Sequence, residues 1–167
     1  QIKKMLRALP ETDPKIETLL AHVHDVLKRE PQEKFIVFTE YLDTLNAMVS
    51  AFEKSKDLSG KYVIMRGGLT GRQRRNIQEK FETGEIRALL STDAASEGLN
   101  LQRTCRRVVH MELPWNPNRM EQRNGRVDRY GQKRKPEIRY LFYPDSPEDD
   151  VLNRIISKME TMEKDRI

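Results

Sequence analysis

The sequence predicts a three-layer α/β domain with a mainly parallel sheet. Three observations carry this. Short apolar runs rich in β-branched and aromatic residues, such as Lys34 to Thr39 (KFIVFT), recur along the chain. A nearly continuous apolar run marks a strand covered on both faces. Stretches with helical spacing separate these runs, and alternation of strand with helix favours parallel pairing. Strand after strand then leads into a loop of polar residues and glycine, at the edge where a parallel sheet binds ligands.

Residues 1–12 carry mixed signals, punctuated by Pro10 and Pro14. A helix is expected from Asp13, with Asp13 as N-cap, Pro14 at the first position and Glu17 in the first turn. Ile16, Leu19, Leu20, Val23, Val26 and Leu27 form its apolar stripe. Lys28 and Arg29 complement the dipole at its end, and Pro31 stops it. Lys34 to Thr39 is the first strand. A helix from about Tyr41 to Glu53 turns Leu42, Leu45, Met48, Val49 and Phe52 inward. Ser59-Gly60 is a turn, and Tyr62 to Met65 is the second strand. Thr70 caps a polar helix from Gly71 to Glu82, buried through Ile77 and Phe81 and ended by Thr83-Gly84. Ala88 to Thr92, Val108 to Met111 and Ile138 to Phe142 are the third, fourth and fifth strands. Lys133 to Lys135 read as a solvated basic loop. Ser146-Pro147-Glu148-Asp149 caps a closing helix with Val151, Leu152, Ile155, Ile156 and Met159 on one face. That helix packs on this domain or on a missing neighbour.

With 167 residues the chain is long enough for one domain with a proper core. Charged residues make up 34% and the net charge is +5, which is compatible with a polyanionic partner without requiring one. One cysteine, Cys105, excludes an intrachain disulfide framework and reads as a small core residue. His22 and His24 stand two apart on a helix and so point in different directions, which argues against a metal site. No apolar run reaches the ~18 residues of a membrane span, and no signal peptide is visible, so no membrane partner is expected. The chain opens at Gln1 without a methionine and reads as a segment of a larger protein.

The loops hold the chemistry. Thr39-Glu40-Tyr41 follows the first strand and Arg66-Gly67-Gly68-Leu69-Thr70 the second. Glycines there let a ligand approach the backbone, and Thr70 opens a helix whose N-terminus favours anions. Ser91 to Gln102 (STDAASEGLNLQ) follows the third, with hydroxyls and glycine suited to phosphate contacts. Glu112 to Pro117 (ELPWNP) follows the fourth; Trp115, between two prolines, reads more readily as a hydrophobic anchor than as a base-stacking ring.

Glu121 to Gln132 (EQRNGRVDRYGQ) is the segment the other loops serve. If it is helical, Gln122, Arg126 and Arg129 fall at i, i+4 and i+7 on one face. Two guanidinium forks beside a glutamine suit a site where charge builds on a phosphoryl group. The competing reading is a solvated basic face. Gly125 weighs against it, because a purely structural helix would avoid a cost of roughly 1 kcal/mol relative to Ala.

The segment QRNGRVDR resembles motif VI of superfamily 2 helicases and translocases, and the trailing YGQ resembles the Swi/Snf-type branch. FIVFTE is similar to motif IV and STDAASEGLNLQ to motif V. RGGLTGRQR resembles the element between them, with Arg66 where the family often has Asp. MELPWNP resembles the branch's D-x-x-W-N-P, with Glu112 in place of Asp. The flavour is that of the RapA/HepA-like subgroup and its relatives in defence systems. The resemblance runs from about residue 13 to 160. It implies a RecA-like (P-loop NTPase-like) second lobe over 13–145, a lead-in over 1–12, and a closing helix over 146–167.

What the resemblance implies for function is correspondingly specific. The chain contains no G-x-x-x-x-G-K-[ST] and no D-E-x-x box, so ATP and Mg²⁺ would be held mainly by an N-terminal RecA-like lobe of the same protein. Arg126 and Arg129 would be arginine fingers, with Gln122 coupling nucleotide state to lobe closure. Glu97, Gly98, Asn100 and Arg123 would complete the nucleotide side. Thr39, Arg66, Gly67, Thr92, Ser96 and Gly98 would face the backbone of double-stranded DNA. The expected activity is DNA translocation driven by ATP hydrolysis, in the bacterial cytoplasm or another intracellular setting. Alternatives are a strand-separating helicase, an ATPase acting on RNA polymerase or with defence-system subunits, and a catalytically dead nucleic-acid-binding lobe.

Overall fold

The computed structural model describes residues 13–92, 101–114 and 116–143, together with Ser146 and Arg154. Expectations for residues 1–12, the loop 93–100, Trp115 and the closing helix lie outside the described residues.

The chain runs α1 (Pro14–Arg29), β1 (Phe35–Thr39), α2 (Leu42–Lys54), β2 (Tyr62–Met65), α3 (Gly71–Thr83), β3 (Ala88–Thr92), β4 (Arg107–His110), α4 (Pro117–Asn124) and β5 (Glu137–Tyr140). The local chemistry explains the boundaries. The Asp13 side chain accepts from Lys15 N at 2.8 Å and Pro14 opens α1. At α3, Thr70 and Gln73 form a capping box: Thr70 N donates to Gln73 Oε1 at 2.8 Å, and Gln73 N donates to Thr70 Oγ1 at 3.3 Å. β4 begins one residue earlier than expected, at an arginine that three carboxylates hold.

Five strands form one sheet in the order β2-β3-β1-β4-β5. Every neighbouring pair is parallel. Side-chain alternation divides the core in two. Phe35 and Val37 face α1 and α2, packing with Leu19, Val23, Met48 and Phe52. Ile36 and Phe38 face the other way, packing with Phe81 of α3, Leu101, Cys105 and Val127. The result is three layers, and α2 buries Leu45, Met48 and Phe52 as expected; Leu42, expected inward, is instead 58% exposed at the first position of that helix, ahead of the turns that pack on the sheet.

The two edges of the sheet differ in purpose. At the amino edge, buried Arg107 donates to Glu33 at 2.9 Å, to Glu30 at 2.8 Å, and to Glu137. Arg134 also bonds Glu33. Burial pushes the Glu33 carboxyl up, but the hydrogen bonds from Arg107 and Arg134 outweigh this and hold it below the usual range. Lys34, beside this cluster, donates to the carbonyls of Phe81 and, at 3.4 Å, of Gly84. A cation is favourable at the end of α3, where the carbonyls lack helical partners. The loops after the strands lie at the opposite, carboxyl edge.

Candidate functional site

The carboxyl ends of all five strands lie on one edge, and register orders the loops along it. Met65 pairs with Ser91, Thr92 with Thr39, Phe38 with His110, and His110 with Tyr140. Arg66 and Gly67 therefore emerge beside Thr92, and Thr92 beside Thr39. Arg66 and Gly67 are exposed, and Gly68 follows at φ 84°, a left-handed conformation that glycine adopts without strain. Thr92 is buried, and Ser91 Oγ donates to its carbonyl at 3.0 Å. Ser96, Glu97, Gly98 and Asn100 lie outside the described residues.

The arginine segment starts at the β4 side of the same edge, where Arg123 and Asn124 reach His110. Asn116 caps α4 by accepting from Asn118 N at 3.0 Å. The helix then stops at Asn124, with Gly125 as its C-cap. This corrects the helical expectation for Gln122, Arg126 and Arg129: only Gln122 is on the helix. A Cβ at position 125 would stand 3.1 Å from the Glu121 carbonyl oxygen, a tight approach that glycine avoids where the chain turns away. Arg126 is half-buried in that turn, while Gln122 and Arg129 are exposed. Gln132 pins the far end by donating to Cys105 O at 2.9 Å and Val127 O at 3.2 Å. Gly131, at φ 97°, lets the loop close.

Two expected contact residues face inward. Thr39 is 0% exposed and donates to Glu112 Oε1 at 3.0 Å. Arg123 is 2% exposed, reaching Glu40 Oε1 at 3.4 Å, the Glu112 carbonyl at 3.4 Å and His110 Nδ1 at 3.3 Å. Its guanidinium also lies over the Phe38 ring at 5.6 Å. Arg123 and Thr39 thus tie the segment after β4 to the end of β1. Glu40, His110, Glu112, Asn124 and Tyr140 complete this tie, and sequence reasoning gave none of them a role. The available signals were that Glu40 and Glu112 each directly follow a predicted strand and fall within segments that resemble family motifs. Burial pushes the Glu112 carboxyl up, partly offset by hydrogen bonds from Thr39 and the Glu40 backbone.

Among the described residues, no group of three or more His, Cys, Asp or Glu could hold a metal ion. None of their helices is long and apolar enough to cross a membrane.

The profile of the family described as "Helicase conserved C-terminal domain" matches residues 14–131. The chain belongs to that family. This helicase C-terminal domain is 34% identical over 142 residues to an uncharacterised ATP-dependent helicase of Bacillus subtilis (strain 168), covering 85% of the chain and 24% of that protein. It is 31% identical over 152 residues to SWI/SNF-related matrix-associated actin-dependent regulator of chromatin subfamily A-like protein 1 of Xenopus tropicalis, covering 90% of the chain and 16% of that protein. The chain thus spans a quarter or less of these relatives' length. The C-terminal part of the Fun30 ATPase domain superposes with a TM-score of 0.75 at 23% identity, covering 83% of this chain and 44% of that one. The Pyrococcus furiosus Hef helicase domain gives 0.67 at 26% identity, covering 84% and 28%. The fold is the RecA-like one of superfamily 2, and the helicase C-terminal domain is homologous to its Swi/Snf-type ATPases.

Proposed function

We propose that this domain is the C-terminal motor lobe of an ATP-dependent double-stranded DNA translocase of Swi/Snf type. The observation that carries the reading is the shared edge: Arg123 and Asn124 tie the end of α4 to Glu40 and His110, so the turn bearing Arg126 leaves from the same carboxyl edge as Thr39, Thr92 and Arg66. A nucleotide bound against the β4 side and a nucleic-acid backbone against the β2 side would then meet one rigid row of strand ends.

In this reading Arg126 and Arg129 donate to phosphoryl oxygens as negative charge develops there, and Gln122 reports nucleotide state to the lobe interface. Glu97, Gly98 and Asn100 line the nucleotide side, and Arg123 acts from beneath by holding the segment to Glu40. Arg66, Gly67, Thr92, Ser96 and Gly98 face the DNA backbone, with Thr39 setting the β1 end through Glu112. Phosphate contact carries no sequence information, which suits a motor that moves along any sequence. Among the described residues of this edge, the carboxylates Glu40 and Glu112 are committed to Arg123 and Thr39 and do not suit Mg²⁺. The ion and most of the ATP belong to another lobe.

Arg126→Ala tests the reading in the protein that carries both lobes. ATP turnover should fall by about 10³-fold or more, while DNA affinity changes much less. Near-normal DNA-stimulated turnover with lost DNA affinity would instead make the Gln122–Arg129 segment a DNA-binding surface.

A further inference from the structure

The last two residues of α4 both bond one buried imidazole, and together they fix its proton. His110 is fully buried at the end of β4. Its ring stacks on Tyr140 at 4.6 Å and lies against Phe38 at 6.0 Å, so three rings line the ends of β1, β4 and β5. Arg123 Nη1 lies 3.3 Å from His110 Nδ1, and Asn124 Oδ1 lies 2.9 Å from His110 Nε2. A guanidinium nitrogen can only donate. Nδ1 is therefore the acceptor, and in a neutral ring the proton sits on Nε2. Nε2–H then donates to Asn124 Oδ1, and Asn124 Nδ2 donates to the Tyr140 hydroxyl at 3.1 Å. The row runs in one direction throughout, from Arg123 through His110 and Asn124 to Tyr140.

Asn124 also shapes the turn that follows. Its carbonyl accepts from Val127 N at 3.0 Å and Asp128 N at 2.9 Å, closing the backbone around Arg126. The side chain that His110 grips and the carbonyl that sets the turn belong to one residue.

We propose that His110 is a positioning residue: its neutral Nε2–H form holds Arg123 and Asn124 together and so sets where Arg126 projects from the sheet edge. An apolar side chain could fill the same space between Phe38 and Tyr140. It could neither accept from Arg123 nor donate to Asn124. The proposal rests on the reading of Arg126 as the group that meets phosphoryl charge.

Two variants in the two-lobe protein separate positioning from packing. His110→Leu keeps an apolar filler, whereas His110→Gln keeps one acceptor and one donor. Both are first matched for folding by thermal melts. The leucine variant should lose about 10–10²-fold in kcat, the loss that follows a misplacement of an ångström or so. Its KM for ATP and its DNA affinity should stay within about twofold, because ground-state binding is left in place. Glutamine should recover most of the loss. A folded leucine variant with wild-type kcat, or a glutamine variant no better than leucine, overturns the proposal. Nitrogen-15 NMR of the His110 ring in this chain gives an answer independent of activity. A single Nε2–H tautomer at neutral pH supports the lock, and a protonated Nδ1 in the unaltered chain overturns it. If Arg126→Ala leaves turnover intact, the functional reading fails, while the ring NMR still decides the lock.

Discussion

Thr39 and Glu112 face each other across the ends of β1 and β4, the threonine hydroxyl donating to Oε1 at 3.0 Å while Glu40 N donates to Oε2 at 3.1 Å. Burial raises the Glu112 carboxyl above its ordinary value, so the ionised group depends on its donors. Thr39→Val removes one of them and should lower stability by about 1–3 kcal/mol at neutral pH, seen as a lower urea midpoint with unchanged slope. The sign with pH follows. A raised folded value means that the stabilisation is fully present below the unfolded value and lost as pH rises through the folded one. Losing the Thr39 bond raises Glu112 further, so the cost of the variant should shrink toward acid pH.

Glu33 should behave in the opposite sense. Its carboxyl is held below the ordinary range, so its contribution is present above the unfolded value and lost as pH falls through the folded one. Glu33→Gln leaves buried Arg107 with Glu30 and Glu137 only, and should cost about 2–3 kcal/mol at neutral pH. Denaturation curves taken from neutral to acid pH should show a shallower acid loss for the variant, because glutamine does not titrate.

Thr70→Ala removes one half of the capping box on α3 and should destabilise the domain by about 1 kcal/mol. Amide exchange should quicken first in the opening turn of that helix. An unchanged urea midpoint and unchanged exchange would mean the cap contributes nothing here.

Lysine at Arg126 or Arg129 should rescue turnover poorly in the two-lobe protein. It keeps the charge but loses the planar fork of donors. Turnover restored to within about tenfold of the unaltered protein would show that charge alone suffices. The chain by itself, with no P-loop motif in its sequence, should hydrolyse no ATP above background.

Where sequence reasoning succeeded, the cause was local. Asp13 with Pro14 marks the start of α1, and Thr70 marks that of α3, because caps are satisfied within three residues. The strand runs were equally plain, since burial on both faces forces an apolar sequence. The arginine segment was less legible. Helical spacing of Gln122, Arg126 and Arg129 holds only if the helix continues, and the crowding that Gly125 avoids is visible only in three dimensions. Thr39 and Arg123 were harder still. Glu112 lies 73 residues from Thr39, and Glu40 lies 83 residues from Arg123. No local pattern encodes a partner that far away.

Cys105 is sealed between β1 and β4, its thiol donating to Lys34 O at 3.1 Å, and burial pushes it up to about 12. It is the chain's one cysteine. A maleimide dye at neutral pH therefore finds no reactive thiolate in this lobe. A cysteine introduced at exposed Lys133 would be the lobe's single labelling point, already in a silent background. Paired with a second fluorophore on a neighbouring lobe, it would let energy transfer follow opening and closure one molecule at a time.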